Sequence, residues 1–234
     1  MKREVIITCE HASCHVPPAF KSLFRGHGQT LRSHRGFDPH AIELATELAK
    51  RLNCKLLQGS VSRLLVELNR SLGHPKLFSE FTQALSEPER LELLNAYYFP
   101  YRKAVENEIR SRIRKRRSVL HLSIHTFTPI LDGKARIADV GLLFDPAREQ
   151  EALLMRTWRR EISKRVPELR TRRNYPYHGR SDGLTTDLRG KFADPDYRGI
   201  EIEVRNSLRP HDVAWKKLAA TFAWLVGDFC NSSG

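Results

Sequence analysis

Two spacings of apolar residues alternate along the chain. Short β-favouring runs occur at Arg3–Cys9 (R-E-V-I-I-T-C), Asn53–Leu57, Val61–Glu67, Ser118–Ile124, Ala138–Phe144 and Gly199–Val204, and each predicts a strand. Between them, apolar residues recur three and four apart. Asp38–Leu52 aligns Ala41, Leu44, Ala45, Leu48 and Leu52, Ala147–Arg165 repeats the pattern, and Asp212–Phe229 aligns Trp215, Leu218, Phe222 and Leu225. These are amphipathic helices. Ser86-Glu87-Pro88-Glu89 has the form of a capping box, which starts a helix running to about Arg117 that Pro100 should kink or divide. Strand and helix in alternation predict an α/β fold, a mixed, mainly parallel sheet with helices on both faces. No repeat or low-complexity linker interrupts the pattern, so residues 1–234 read as a single domain. Asn174–Arg198 reads as a long irregular loop rich in Gly and Pro, of the kind that often carries function.

Polar clusters stand just after the apolar runs. Glu10-His11 follow the first, Asn69-Arg70 follow Val61–Glu67, His125 ends the fourth, and Glu201 and Glu203 lie within the last. In open α/β sheets ligands gather beyond the carboxyl ends of the strands, where distant clusters converge. The pattern points to an enzyme, a metal-dependent hydrolase. A catalytic zinc takes three His or carboxylate ligands and leaves a position for water. His11 and His125 are the best-placed imidazoles, and Asp38, in H-R-G-F-D-P, is the third candidate. Glu10 competes with it, although alternation sends neighbouring strand side chains to opposite faces and so favours pairing His11 with Asp38. His121 shares the face of His125, as a support for it or as a buried histidine. Arg63, Asn69 and Arg70 offer guanidinium forks and an amide suited to a carboxylate, hence to an acidic substrate, unless an arginine is spent on Glu67. Glu201 and Glu203 share a strand face, and Glu203, nearer the strand end, is the candidate general base. Tyr177, His178, Arg180 and Asp182 in the long loop are candidate substrate contacts.

Charge invites a different reading. Lys and Arg outnumber Asp and Glu by 40 to 27, a formal net charge of +13, which suits a phosphate polymer. The densest basic stretch, Arg110–Arg117, falls at a helix C-terminus, where the macrodipole favours cations. Arg156, Arg159, Arg160, Lys164 and Arg165 fit the outer face of a helix, and no nucleic-acid-binding signature accompanies them. Nucleic acid is therefore disfavoured as the partner. No apolar run approaches the roughly 20 residues that span a bilayer, and the start lacks a secretory pattern, so no membrane is expected and a soluble, cytoplasmic protein is. Cys9, Cys14, Cys54 and Cys230 form no paired motif and are expected to be reduced.

The segments C-E-H-A (9–12), H-R-G-F-D-P (34–39), S-R-L-L-V-E-L-N-R-S (62–71), H-L-S-I-H-T-F-T-P (121–129), G-L-L-F-D-P-A-R (141–148), R-N-Y-P-Y-H-G-R-S-D-G-L-T-T (173–186) and G-I-E-I-E-V (199–204) together resemble the N-formylglutamate amidohydrolase family. That resemblance implies a three-layer α/β/α fold like the zinc carboxypeptidases and aspartoacylases. It implies one zinc per chain, held by His11, Asp38 and His125, and hydrolysis of N-formyl-L-glutamate or a related small acidic N-acyl amino acid. By the same analogy Asn69 and Arg70 grip the substrate carboxylate and Glu203, in E-V-R-N at 203–206, moves the proton; Arg63 is expected to help stabilise the oxyanion and Tyr177 to contact the substrate. One departure stands out: zinc peptidases place His and Glu three residues apart, whereas Cys14 lies three after His11, so Asp38 takes the second ligand position. Other readings are a zinc peptidase, a γ-glutamyl amide hydrolase, or a non-catalytic binder of acidic ligands or nucleic acid. Oligomeric state is left open.

Overall fold

The computed structural model describes residues 2–231. Its elements are β1 (Lys2–Cys9), a 3₁₀ turn (Pro18–Phe24), α1 (Gly28–Leu31), α2 (Ala41–Leu52), β2 (Lys55–Gln58), α3 (Glu87–Leu93), a π-helical turn (Leu94–Tyr98) and α4 (Phe99–Arg114). There follow β3 (Arg117–Phe127), β4 (Ile130–Leu131), β5 (Lys134–Ala135), β6 (Val140–Leu143), α5 (Glu149–Arg165), β7 (Thr171–Arg173), α6 (Leu184–Lys191), β8 (Tyr197–Arg205) and α7 (Val213–Asn231).

Six strands form one sheet in the order β2-β1-β3-β8-β6-β7, and β4 and β5 form a separate hairpin. Neighbours in the large sheet run parallel except β6 and β8. Because β1, β3 and β8 are parallel and adjacent, their carboxyl ends meet at one edge. Register places His125 opposite Glu203 and Thr8 opposite Ser123. The sheet is thus the mixed, mainly parallel one expected, with helices on both faces.

The two faces differ in chemistry. Val5, Ile7 and Cys9 of β1, Leu120, Leu122 and Ile124 of β3, and Ile200, Ile202 and Val204 of β8 pack under α2, α5 and α7. Strand alternation turns Thr8, His121, Ser123, His125, Glu201 and Glu203 to the other face. There α4, α6, the 3₁₀ turn and the 61–68 segment build a second core around Ile6, Val119 and Tyr197. One face is mainly apolar and fixes the sheet; the other carries a polar stripe that leads into the site.

Three local expectations need correction. Val61–Glu67 is not a strand but a run of turns. Ser62 Oγ donates to Gly36 O at 2.8 Å and accepts from Leu64 N at 3.2 Å, so a side chain supplies bonds that a ladder would otherwise provide, while Val61, Leu64, Leu65 and Val66 are buried in the second core. The 174–198 stretch is not wholly irregular, since it contains α6, which buries Leu184 and Leu188 at helical spacing. Asp38 lies in a turn before α2 rather than inside it. The capping box is present, with Ser86 N donating to Glu89 at 2.8 Å. Pro100 divides the long helix as expected: the π turn precedes it, since Pro cannot donate to the turn before it and crowds it. The basic stretch is a salt-bridged helix end, with Arg110 on Glu106 and Arg112 on Glu108 and Glu4.

Candidate active site

Beyond the carboxyl ends of β1, β3 and β8 lies a cleft of about 360 Å³, lined among others by His11, Asp38, Arg63, Glu67, Asn69, Arg70, His125, Tyr177, Glu201 and Glu203. His11, Asp38, Arg63, Asn69, Arg70, His125, Tyr177 and Glu203, the eight residues given metal, substrate or catalytic roles above, therefore reach one space. Asp38 arrives there because its turn is tied down: its N–H donates to His11 O at 3.0 Å, and Thr126 Oγ1 donates to Pro39 O at 2.8 Å. Gly36 makes the turn possible, since a Cβ there would sit 2.0 Å from Leu31 O.

His11, Asp38 and His125 form the centre. They are 3%, 1% and 3% exposed, so their polar atoms must satisfy one another. Asp38 Oδ2 lies 3.1 Å from His11 Nδ1 and 2.9 Å from His125 Nδ1. One ligand atom from each of the three falls within 4.8 Å of the others, the spacing of a metal site. The far nitrogens are also occupied. His11 Nε2 lies 2.5 Å from Glu67 Oε1, and His125 Nε2 lies 2.9 Å from Glu10 Oε2. Two imidazoles backed by carboxylates and facing a third carboxylate is the donor chemistry that suits zinc, with the backing groups fixing ring orientation. The residues fit a metal. Glu10 does not share the ligand position: it accepts from Tyr101 at 2.8 Å and Ser123 at 2.5 Å, behind the His125 ring.

Charges follow this geometry. Burial alone would raise Asp38, but the His11 charge, bonds from both imidazoles and Arg63 hold it well below the usual carboxylate range. For His125 burial opposes protonation, yet bonds to Asp38 and Glu10 outweigh it and raise the ring well above its ordinary value. His11 is raised too, its burial and Arg63 being offset by Glu67 and Asp38. His121 goes the other way. Burial lowers it to about 4, and as a neutral ring it bridges Thr8 Oγ1 at 2.8 Å and Tyr197 OH at 2.7 Å, one layer beneath the site.

Glu203 stands apart within this cluster. It is 4% exposed, and its Oε2 has no hydrogen-bond partner. Burial, reinforced by Asp38 and Glu201 against the pull of His125, pushes its pKa up to about 8. A buried carboxyl with an empty oxygen beside the cleft is equipped to exchange a proton near neutral pH. Glu201, on the same strand face, instead accepts from Thr185 Oγ1 at 2.5 Å. Gly141 of β6 makes room for Glu203, because a Cβ there would lie 3.1 Å from Glu203 Cβ and 1.9 Å from Tyr175 O.

The arginines divide their work. Arg63, not Arg70, pairs with Glu67, through Nε at 2.8 Å and Nη2 at 2.7 Å, and Nη1 reaches Asp38 Oδ1 at 3.3 Å. Arg70 is held by the carbonyl of Asp182, while Tyr98 OH donates to its own carbonyl at 2.7 Å. Asn69 Oδ1 accepts from Leu184 N at 2.7 Å, leaving its Nδ2 3.4 Å from His125 Nε2. Tyr177 is 44% exposed at the cleft mouth, with its hydroxyl 3.0 Å from Arg136 Nη2. His178 and Asp182 also line the cleft, whereas Arg180 turns away to Asp145. Sequence reasoning missed the place of Glu67 beside His11. The signal available was its spacing, four after Arg63 and two before Asn69, but that spacing was read on a strand that is not there.

Among the described residues no helix is long and apolar enough to cross a membrane, and all four cysteines are unpaired. A family model described as N-formylglutamate amidohydrolase matches residues 3–209. No curated protein matches the chain. Among solved structures, gene product Atu2144 from Agrobacterium tumefaciens is similar at 29% identity and a TM-score of 0.82, over 97% of this chain and 90% of that one. The N-formylglutamate amidohydrolase from Ralstonia eutropha JMP134 shares the fold, with a TM-score of 0.70 at 18% identity, over 98% of this chain and 93% of that one.

Proposed function

The chain belongs to the N-formylglutamate amidohydrolase family and is thereby a hydrolase acting on an amide; from that premise we propose that it is zinc-dependent and cleaves N-formyl-L-glutamate or a related N-acyl amino acid. The products are the free amino acid and the acyl carboxylate. The observation that carries the metal reading is the convergence of two imidazole Nδ1 atoms on Asp38 Oδ2, with each ring's other nitrogen held by a buried carboxylate. His11, Asp38 and His125 would hold one zinc per chain. Bound there, zinc would supply a Lewis acid and lower the pKa of a coordinated water to about 7.

The chain's own residues account for the rest. Glu203 Oε2, unpartnered in the resting structure, receives a proton from the attacking water and delivers it to the leaving nitrogen. Its raised pKa, about 8, matches both halves of that task. Arg63 presents positive charge to the cleft while anchored to Glu67 and Asp38, which favours negative charge developing on the carbonyl oxygen. Arg70 binds the substrate carboxylate, Asn69 orients it, and Tyr177 covers the mouth. The test is a panel of N-formyl-L-glutamate, other N-formyl and N-acetyl amino acids, γ-glutamyl amides and peptides, offered to zinc-loaded protein. Hydrolysis of small N-acyl amino acids bearing a free carboxylate supports this reading; turnover of peptides alone refutes it.

A further inference from the structure

Both imidazoles at the centre are backed by a carboxylate, but the two carboxylates are built differently. Glu10 is sealed in the second core behind His125, and its remaining bonds go to Ser123 and Tyr101. Glu67 instead faces the cleft and bonds on every side. Its Oε1 lies 2.5 Å from His11 Nε2 and accepts from Asn69 N at 3.0 Å. Its Oε2 accepts from Arg63 Nε at 2.8 Å, and Arg63 in turn reaches Asp38. Its carbonyl accepts from Arg70 N at 3.3 Å.

We infer that Glu67 is a positioning residue that sets two arms of the site at once: it aims His11 Nδ1 at the metal position and fixes the Asn69–Arg70 turn that receives the substrate carboxylate. The inference rests on the zinc reading above and goes beyond it by joining metal and carboxylate binding through one side chain. The physical reason is geometric. Residues 61–68 form turns rather than a strand, so no ladder holds Asn69 in place; the Glu67 carboxylate takes its N–H instead, and by fixing Glu67 this bond also sets the backbone carbonyl that accepts from Arg70 N. A carboxylate on the far nitrogen of a ligating histidine fixes its tautomer and raises its basicity, and losing such a partner costs roughly 10- to 100-fold in metal affinity. Glu10 performs only that first task.

The test uses the full-length protein stripped of metal and measures two affinities separately. Zinc affinity is read by competition with a chromophoric chelator, with the cobalt(II) absorption spectrum as a reporter of ligand geometry; L-glutamate binding to the metal-free protein is read by calorimetry. Glu67→Gln is expected to weaken zinc by about 10- to 100-fold, to shift the cobalt spectrum, and to weaken L-glutamate several-fold. Glu10→Gln is expected to lower only the zinc affinity. Should Glu67→Gln fail to fold, Glu67→Asp keeps the charge that Arg63 needs while withdrawing the oxygen from His11, and it should lose zinc affinity in the same direction. A folded Glu67 variant that binds zinc like wild type, or one that loses zinc affinity with L-glutamate binding untouched, overturns the inference. Wild-type protein that takes up no zinc overturns the metal reading itself, an outcome distinct from either.

Discussion

Arg189 and Glu151 form the deepest ion pair outside the cleft, with side chains 5% and 0% exposed. Arg189 Nε donates to both Glu151 oxygens at 3.1 and 3.2 Å, Nη1 to Gly179 O at 2.6 Å and Nη2 to Gly199 O at 2.5 Å. Glu151 also accepts from Asp145 N and Gly199 N, each at 2.9 Å. The pair thus pins the loop that carries Tyr177 and His178 to the start of β8. Replacing Arg189 by Met leaves a buried carboxylate without its counter-charge and takes a donor from the Gly179 and Gly199 carbonyls, which costs about 3–5 kcal/mol. For a chain of this length that corresponds to a drop in Tm of roughly 6–20 °C. Burial already raises Glu151 above its ordinary value despite Arg189, and removing the arginine raises it further. A carboxyl with a raised native pKa is destabilising only where the unfolded chain would ionise it, so the Arg189→Met deficit must widen as pH rises above the ordinary carboxylate range. The double variant Glu151→Leu/Arg189→Met removes the stranded charge but leaves the Asp145 and Gly199 N–H groups unpaired, at about 1–3 kcal/mol each, so it recovers only part of the loss. Urea denaturation at several pH values measures all of this. An Arg189→Met protein within about 1 kcal/mol of wild type, or a deficit that does not change with pH, would refute the reasoning.

Three further outcomes are expected. Arg70→Ala should raise KM for carboxylate-bearing substrates by roughly 10- to 100-fold, the value of a charge-assisted hydrogen bond, with kcat little changed; steady-state kinetics separate the two. Glu203→Gln should lower kcat by about 10²- to 10⁴-fold. In metal-stripped protein the same change alters the pH dependence of stability. Native Glu203 stays protonated up to about 8 while the unfolded group ionises lower, so wild type loses stability as pH rises through that range and the Gln variant does not; melts across pH decide it. Gly141→Ala should cost roughly 1–3 kcal/mol or more by overpacking against Tyr175 O and Glu203 Cβ, and should lower activity by displacing Glu203.

Much of this was legible because strands and helices declare themselves by period. β1, β3 and β8 are apolar runs that end at polar residues, and their parallel pairing brings His11, His125 and Glu203 together as the α/β rule requires. Alternation did not decide between Glu10 and His11, because β1 ends at Cys9 and both lie in the turn beyond it: Glu10 lies behind the His125 ring, while His11 meets Asp38. What escaped was set by tertiary bonds. The Val61–Glu67 run is apolar enough for a strand, but an apolar run alone does not distinguish a ladder from buried turns, and Ser62 capping Gly36 O decides for turns. Edge strand β7 is largely exposed and basic, so it has no alternation to read. The division of labour between Arg63 and Arg70 depends on which guanidinium reaches Glu67, and spacing alone left that open.

Zinc content and N-formyl-L-glutamate hydrolysis, measured side by side on wild type and His125→Ala, test the central claim most directly. Wild type should hold about one zinc per chain, as a three-ligand catalytic site does, and turn over the substrate, with both lost in a variant that circular dichroism shows to be folded. A folded His125→Ala protein that retains stoichiometric zinc or full turnover, or a wild-type protein whose turnover survives complete removal of metal, would contradict the account.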